Sequence, residues 1–351
     1  MKEDKIISEF RNSTDQFSKL KNKCESLLRE LCDHKSIQIH SISARLKTED
    51  SIKGKIANKG EKYNSISDIT DIVGIRIITL FEDDVQKVED VIKDEFEVDP
   101  ENSEDKFQKL KANEFGYRSV HFVCSIGKKR RHLREYIEIS SLKFEIQVRS
   151  ILQHAWADIE HDLGYKFEGD LPDHIQRDFF RVAGLLELAD LEFLRIKKAI
   201  KDYSDNLKIN DKSTNIPINV ISFDKFLEDS IVLNEIEYKI SEINTIPIVG
   251  KFRGSQMMKI LTILDFGNLT KLEEKLENYK DQLINFTTKW IEGQKLIRKG
   301  LCVWTLAYIL KAEEGKEELE NYLKLMDIGE TEYLTTNSER IIKTLELIKS
   351  P

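Results

Sequence analysis

Proline and cysteine are both scarce in this 351-residue chain, which holds five of the first and four of the second. So little proline leaves few enforced breaks and favours a helix-rich protein. The cysteines, Cys24, Cys32, Cys124 and Cys302, show no Cys-x-x-Cys spacing. That argues against a zinc module and against a disulfide framework, and leaves reduced, buried thiols as the expectation. No apolar run approaches the ~20 residues of a membrane span. The opening Met-Lys-Glu-Asp-Lys lacks the apolar core of a secretory signal, so the cytoplasm is the expected compartment and no membrane partner is expected. An excess of positive charge is missing too. Net charge is −8, and residues 206–351 carry 20 Lys+Arg against 23 Asp+Glu, leaving 35 against 40 for residues 1–205. Neither half is a bulk polyanion-binding surface, so contact with a nucleotide or RNA must come from a local basic cluster.

What is present is a chain with 40% apolar and 34% charged residues, long enough for roughly two domains. Residues 5–32 have helical apolar spacing, and a short strand is expected around 36–43. A helix over 50–59 should stop at Gly60. The β-branched run Val73–Phe81 reads as a central strand and Glu82–Phe96 as a helix packed on it. Strands over 117–126 and 142–149 follow, then helices over 151–165 and 174–203. Helices on a mixed sheet make residues 1–204 an α+β domain. Residues 205–222 lose periodicity and read as a linker. Beyond it, helical segments at 223–243, 254–263, 270–292, 295–312, 314–326 and 337–349 predict an all-α accessory domain over 223–351.

Four clusters in the first half carry chemistry. In Arg45-Leu-Lys47-x-x-x-Ser51-x-x-x-Lys55, Ser51 and Lys55 share a helix face. Three cations and a hydroxyl beside a helix N-terminus suit a triphosphate, although a solvated charged helix reads the same way. Asp71-Ile-Val-Gly-Ile-Arg76 sets a carboxylate at the head of a buried strand and an arginine within it. A buried charge without a partner costs several kcal/mol, so Arg76 must reach a cleft or a ligand. Gly116-Tyr117-Arg118-Ser119-Val-His121 runs into a strand whose alternation puts Tyr117, Ser119 and His121 on one face. A tyrosine there is a platform for a purine or, equally, a cross-strand aromatic. In Glu145-Ile-Gln147-Val-Arg149 three polar residues share a strand face, with His154 and Trp156 following on a helix. Two carboxylates, Asp71 and Glu145, with cations around them are what a Mg²⁺-assisted phosphoryl or pyrophosphoryl transfer needs.

In order, RLKTEDSIKGK, DIVGIR, GYRSVH, EIQVR and HAWADIEHDLGYK resemble the synthetase domain of RelA/SpoT-type alarmone synthetases over roughly residues 36–170. The resemblance implies pyrophosphate transfer from ATP to the 3′-hydroxyl of GDP or GTP, in a small synthetase with an added helical domain. It implies that Arg45 and Arg76 sandwich the adenine while Lys47, Ser51 and Lys55 hold phosphates. Asp71 and Glu145 would bind Mg²⁺, Glu145 also taking the proton of the acceptor hydroxyl. Tyr117 would stack on the acceptor guanine, with Arg118, His121, Gln147 and His154 nearby. The sequence departs from the family pattern before Gly116, where Phe115 stands at the usual Asn position and the usual Lys is displaced; this touches the acceptor side. The 44 residues before Arg45 lack a His-Asp metal signature, so hydrolysis of the product is not expected.

Other readings stay open. A toxic relative acting on tRNA 3′ ends or adenine nucleotides would use the same donor chemistry, and a nucleotide sensor without turnover would use the same pocket. The run Lys128–Arg134, with five Lys/Arg in seven residues, reads as a solvated hairpin tip or an RNA contact. His154, Asp158 and His161 form an i, i+4, i+7 stripe that admits a metal but has no further ligand cluster. The helical half is expected to dock a regulatory partner, and a homo-oligomer is a further expectation.

Overall fold

The computed structural model describes residues 2–59, 62–105, 119–165, 172–252, 254–326 and 331–349. The chain divides into two compact units, Met1–Lys197 and Lys198–Pro351.

The first unit opens with helix α1 (Lys2–His34), whose apolar stripe of Phe10, Phe17, Leu20, Cys24 and Leu28 is buried. Strand β1 (Ile39–Leu46) leads to helix α2 (Glu49–Lys59), and strand β2 (Val73–Thr79) to helix α3 (Glu82–Glu95). Strands β3 (Phe96–Asp105), β4 (Val120–Ile126) and β5 (Phe144–Ser150) follow, then helices α4 (Ile151–Tyr165) and α5 (Asp173–Asp205). The strands form one mixed sheet in the order β1-β2-β5-β4-β3; β2 and β5 run parallel and the other neighbours antiparallel. Helix α1 packs on β1 and β2, and α3 on β5 and β3. Phe144, Ile146 and Val148 are fully buried while Glu145 and Gln147 alternate with them. Period-two alternation therefore gives β5 an apolar face in the core and a polar face outside it. Truncating Phe144 would cost about 3–5 kcal/mol.

Two expectations are corrected here, on the end of β1 and on β3. Strand β1 runs to Leu46 rather than ending at 43, so Arg45 is a strand residue, paired with Gly74. Strand β3 is absent from the sequence reading because FEVDPENSED is acidic and carries Pro100. It lies at the sheet edge, where proline is tolerated, and its register shifts between Asp99 and Glu104. There the Asp99 carboxylate accepts from the backbone N–H groups of Glu101 and Asn102. The run Lys128–Arg134 is largely exposed, as expected of a solvated tip, and part of it is also tied to the fold. Lys129 and Arg130 pair with Glu95, Arg131 lies 3.6 Å from Glu97, and Tyr136 and Ile139 beyond it are buried in the core. Gly127 permits this tuck, since a Cβ there would sit 2.2 Å from the Glu95 carbonyl oxygen. Gly60, expected to stop α2, lies outside the described residues.

The second unit is helical, with its own core around Phe223, Phe226, Leu272, Phe286, Leu306 and Tyr322. Its helices are α6 (Val220–Asp229), α7 (Ile231–Asn244), α8 (Gly254–Leu264), α9 (Leu269–Asn278), α10 (Lys280–Trp290), α11 (Leu301–Glu314), α12 (Lys316–Leu325) and α13 (Thr331–Lys349). The segment expected as one helix over 223–243 breaks at Ser230, which caps α7 by accepting from Leu233 N–H. Within the segment expected as a helix over 295–312, Ile297–Lys299 is strand β7, parallel to strand β6 (Ile248–Lys251). Gly300, at φ +94°, turns the chain from β7 into α11. Of the stretch read as a linker, Ile209 and Ile216 are buried in this core. Asn210 bonds the Asp229 carbonyl and the Ile231 N–H. No helix among the described residues is long and apolar enough to cross a membrane, and all four cysteines are buried and free.

Candidate active site

Sheet register assembles the site. Across four strands, Ser43, Arg76, Gln147 and His121 stand side by side; one step along, Arg45, Gly74 and Glu145 form the next row. Side chains two apart on a strand share a face, so both rows point the same way. Gly74 has no side chain, and Arg45 lies across it, its Nε 3.7 Å from where a Cβ would be. The result is a cavity of about 150 Å³ between Arg45 and Arg76, walled by Asp71, Glu145 and Gln147.

Asp71 enters it from just before β2. Its Oδ2 accepts from Lys47 Nζ and lies 2.7 Å from Lys55 Nζ, while Lys47 N–H, 2.8 Å from the Ile72 carbonyl, fixes the end of β1 there. Burial pushes the Asp71 carboxyl up, but the two ammonium groups outweigh it and hold it below the usual carboxylate range. Its Oδ1 is buried without a partner among the described residues. An ionised oxygen with no donor, in the same cavity as a second carboxylate, fits one hard divalent cation, which takes one or two carboxylates plus phosphate oxygens.

Glu145 is held by a chain of donors. Arg149 Nε donates to Ser119 Oγ at 2.8 Å, and Ser119 Oγ lies 2.8 Å from His121 Nε2. His121 Nδ1 lies 3.0 Å from Glu145 Oε1, and Gln147 Nε2 donates to Oε2 at 3.1 Å. A carboxylate only accepts, so His121 Nδ1 must carry a proton. Arg149 can only donate, so Ser119 Oγ accepts from it and keeps its hydroxyl hydrogen and a second lone pair for Nε2. Burial raises Glu145 and so does the nearby Asp71 charge, yet the His121 bond, with Gln147, leaves it below its ordinary value. Ser119 and Arg149, which the motifs place on these strand faces without a role, are therefore parts of the site. Their signal was the same alternation that carries His121 and Gln147. Ser43 lines the cavity through the same i, i+2 relation to Arg45.

The remaining expected residues lie around this centre. Arg76 Nη1 is 3.8 Å from Asp158 of α4, which answers the question of where its charge goes. His154, one turn before Asp158, sits 3.4 Å from that carboxylate but out of line for a hydrogen bond. Burial lowers its pKa, as do the Arg76 and Arg149 charges, against Asp158, so the ring is neutral at neutral pH. Neither His154 nor Asp158 lines the cavity, and Asp158 meets it only through Arg76. Ser51 is turned to Thr48, whose hydroxyl lies 2.8 Å from its own and also accepts from Ser51 N–H at the start of α2. Tyr117 and Arg118 lie outside the described residues. Among the described residues no group of three or more His, Cys, Asp or Glu side chains is arranged to hold a metal, the His154–His161 stripe included.

Residues 44–170 match the family model described as a region found in RelA/SpoT proteins. The chain is 31% identical over 165 residues to the GTP pyrophosphokinase YwaC of Bacillus subtilis, covering 75% of that protein and 46% of this chain. To the GTP pyrophosphokinase YjbM of the same organism it is 28% identical over 170 residues, covering 76% of that protein and 48% of this chain. Among solved structures, the small alarmone synthetase 1 of Bacillus subtilis matches 56% of this chain and 99% of its own, at 24% identity and a TM-score of 0.46. With that identity maintained across three-quarters of a relative, and with the motif-bearing strands forming one site, the chain belongs to the RelA/SpoT family and is an enzyme of the pyrophosphoryl-transferase type.

Proposed function

We propose that the first unit transfers the β,γ-pyrophosphoryl group of ATP to the 3′-hydroxyl of GDP or GTP. The acceptor oxygen bonds to the β-phosphorus, the bond from that phosphorus to the α-phosphate oxygen breaks, and AMP leaves. Glu145 takes the hydroxyl proton; it is ionised, half-buried and held at both oxygens, as a positioned base should be. The observation that carries the reading is the pairing of Asp71, with its spare buried Oδ1, and Glu145 in one cavity between two arginines. Mg²⁺ held by these carboxylates would supply charge stabilisation on the phosphates. Lys47 and Lys55, now on Asp71, are within reach of the same phosphates; Ser51 sits one helical turn before Lys55.

Arg45 and Arg76 are diagonal neighbours across an antiparallel pair. Such positions stand ~7–8 Å apart, about twice the ~3.5 Å contact spacing of stacked planes, which suits an adenine between two guanidinium groups. On the acceptor side we assign Tyr117 and Arg118, with His121, Gln147 and His154, to the guanine nucleotide. Three cations of the 128–134 run are engaged by Glu95 and Glu97, which weakens the case for an RNA acceptor. Residues 223–351 serve as an accessory domain in this reading.

The test is incubation with γ-labelled ATP and GDP, GTP, ATP or bulk tRNA in separate reactions. Labelled guanosine product is expected, and Asp71→Asn and Glu145→Gln should each lower turnover by at least ~10²-fold. Label found only in tRNA would replace the acceptor, and wild-type turnover by either variant would overturn the mechanism.

A further inference from the structure

The second unit holds a cavity of about 420 Å³ among β7, the end of α10, α11 and α13. Cavities of ~300–1,000 Å³ are the size that takes small organic ligands. Among the described residues its lining contains two arginines, Arg298 and Arg340, and no carboxylate. In a chain of net charge −8 that is a local reversal of sign. The two arginines have no acidic partner among the described residues, although exposed arginines elsewhere in the chain, such as Arg11 and Arg195, do.

Arg340 is also held in place. Its guanidinium lies 4.3 Å over the Trp290 ring and donates from Nη2 to the Trp290 carbonyl at 3.1 Å. Trp290 is itself fixed by stacking on Phe286 and by the edge of Tyr308. A guanidinium stacked on an indole presents its other flat face outward, still charged and with further N–H donors. The amides of Gln294 and Asn337 line the same cavity, and each offers both a donor and an acceptor.

We propose that this cavity binds a nucleoside phosphate, at a site separate from the synthetase and independent of its chemistry. The base stacks on the outer face of Arg340, its edge meets Gln294 and Asn337, and the phosphates neutralise Arg298. A flat ring, a hydrogen-bonding edge and negative charge are all used, and an inorganic anion offers only the last.

Tryptophan fluorescence of the full chain tests this. Trp156→Phe removes the reporter of the first unit and leaves Trp290 and Trp304. GDP, GTP or ATP should change that emission saturably, with Kd below about 1 mM. Arg298→Ala, an exposed position, should weaken the response about tenfold or more. Arg340→Lys should weaken it similarly while keeping the charge, because the plane is lost. No saturable change with any of the three nucleotides overturns the site. An equal response to inorganic phosphate and to nucleotide, or an undiminished response in both arginine variants, overturns the assignment to a nucleoside phosphate.

Discussion

Replacing His121 with Leu removes the ring that donates to Glu145 Oε1 while keeping a side chain of similar bulk. The consequences follow from the balance on that carboxyl. Burial, the first influence, and the Asp71 charge both push Glu145 up; His121 opposes them most strongly and Gln147 less so. Without His121 the carboxyl therefore moves up. A base works in its ionised form, so activity is present above its folded-state pKa and lost as pH falls through it; raising that pKa carries the acid limb to higher pH. A hydrogen bond to a charged group contributes about 1.5–3 kcal/mol, so transfer measured on the acid limb should drop roughly ten- to hundredfold. The alkaline plateau should change far less. Ser119→Ala acts one step back: it frees His121 Nε2 and leaves Arg149 Nε without its acceptor, and it should shift the limb the same way by a smaller amount. The assay is kcat/KM for labelled transfer from ATP across pH. A His121→Leu profile that superimposes on wild type after scaling would show that this chain of donors does not set the base.

Arg76→Ala should weaken ATP binding by about 1–2 kcal/mol, the value of one desolvated guanidinium–ring contact. Calorimetry with unchanged ATP affinity would put the adenine elsewhere. In the second unit, Glu237 caps the start of α11, its Oε1 accepting from Gly300 N–H at 2.8 Å and Cys302 N–H at 3.2 Å. Burial pushes it from an ordinary 4.5 to about 7, against those N–H groups. The folded state then holds a proton that the unfolded chain has lost between those values, so stability falls as pH rises from 4.5 to about 7, by about 3 kcal/mol. Glu237→Gln should remove that part of the slope in urea unfolding, and a variant with the wild-type slope would refute the assignment.

Much of the site was legible because it is written in strand periodicity. Arg76, Glu145 and Gln147 sit in segments whose other residues are mostly β-branched or aromatic, so a polar residue there announces a face that is not core. Asp71 and the lysines were legible as charge at the edges of those segments. Ser119, Arg149 and Ser43 were less so. Their residue types are common on any exposed strand, and only the register of four strands brings them to His121, Glu145 and Arg76. The exposure of the basic run 128–134 was legible, but its ties to Glu95 and Glu97, more than thirty residues away, were not.

Local chemistry by itself determined the helices of α1, α3 and α5, the strands β2, β4 and β5, and which of their residues face away from the core. These depend on spacing within one segment, which a sequence displays. Tertiary structure decided the rest: the edge strand β3, the pairing of β6 with β7, and the arrangement that leaves one oxygen of Asp71 buried and, among the described residues, unpartnered beside Glu145. Strand pairing is a contact between segments distant in the chain, and neither its register nor the burial of a single oxygen is encoded in any one of them.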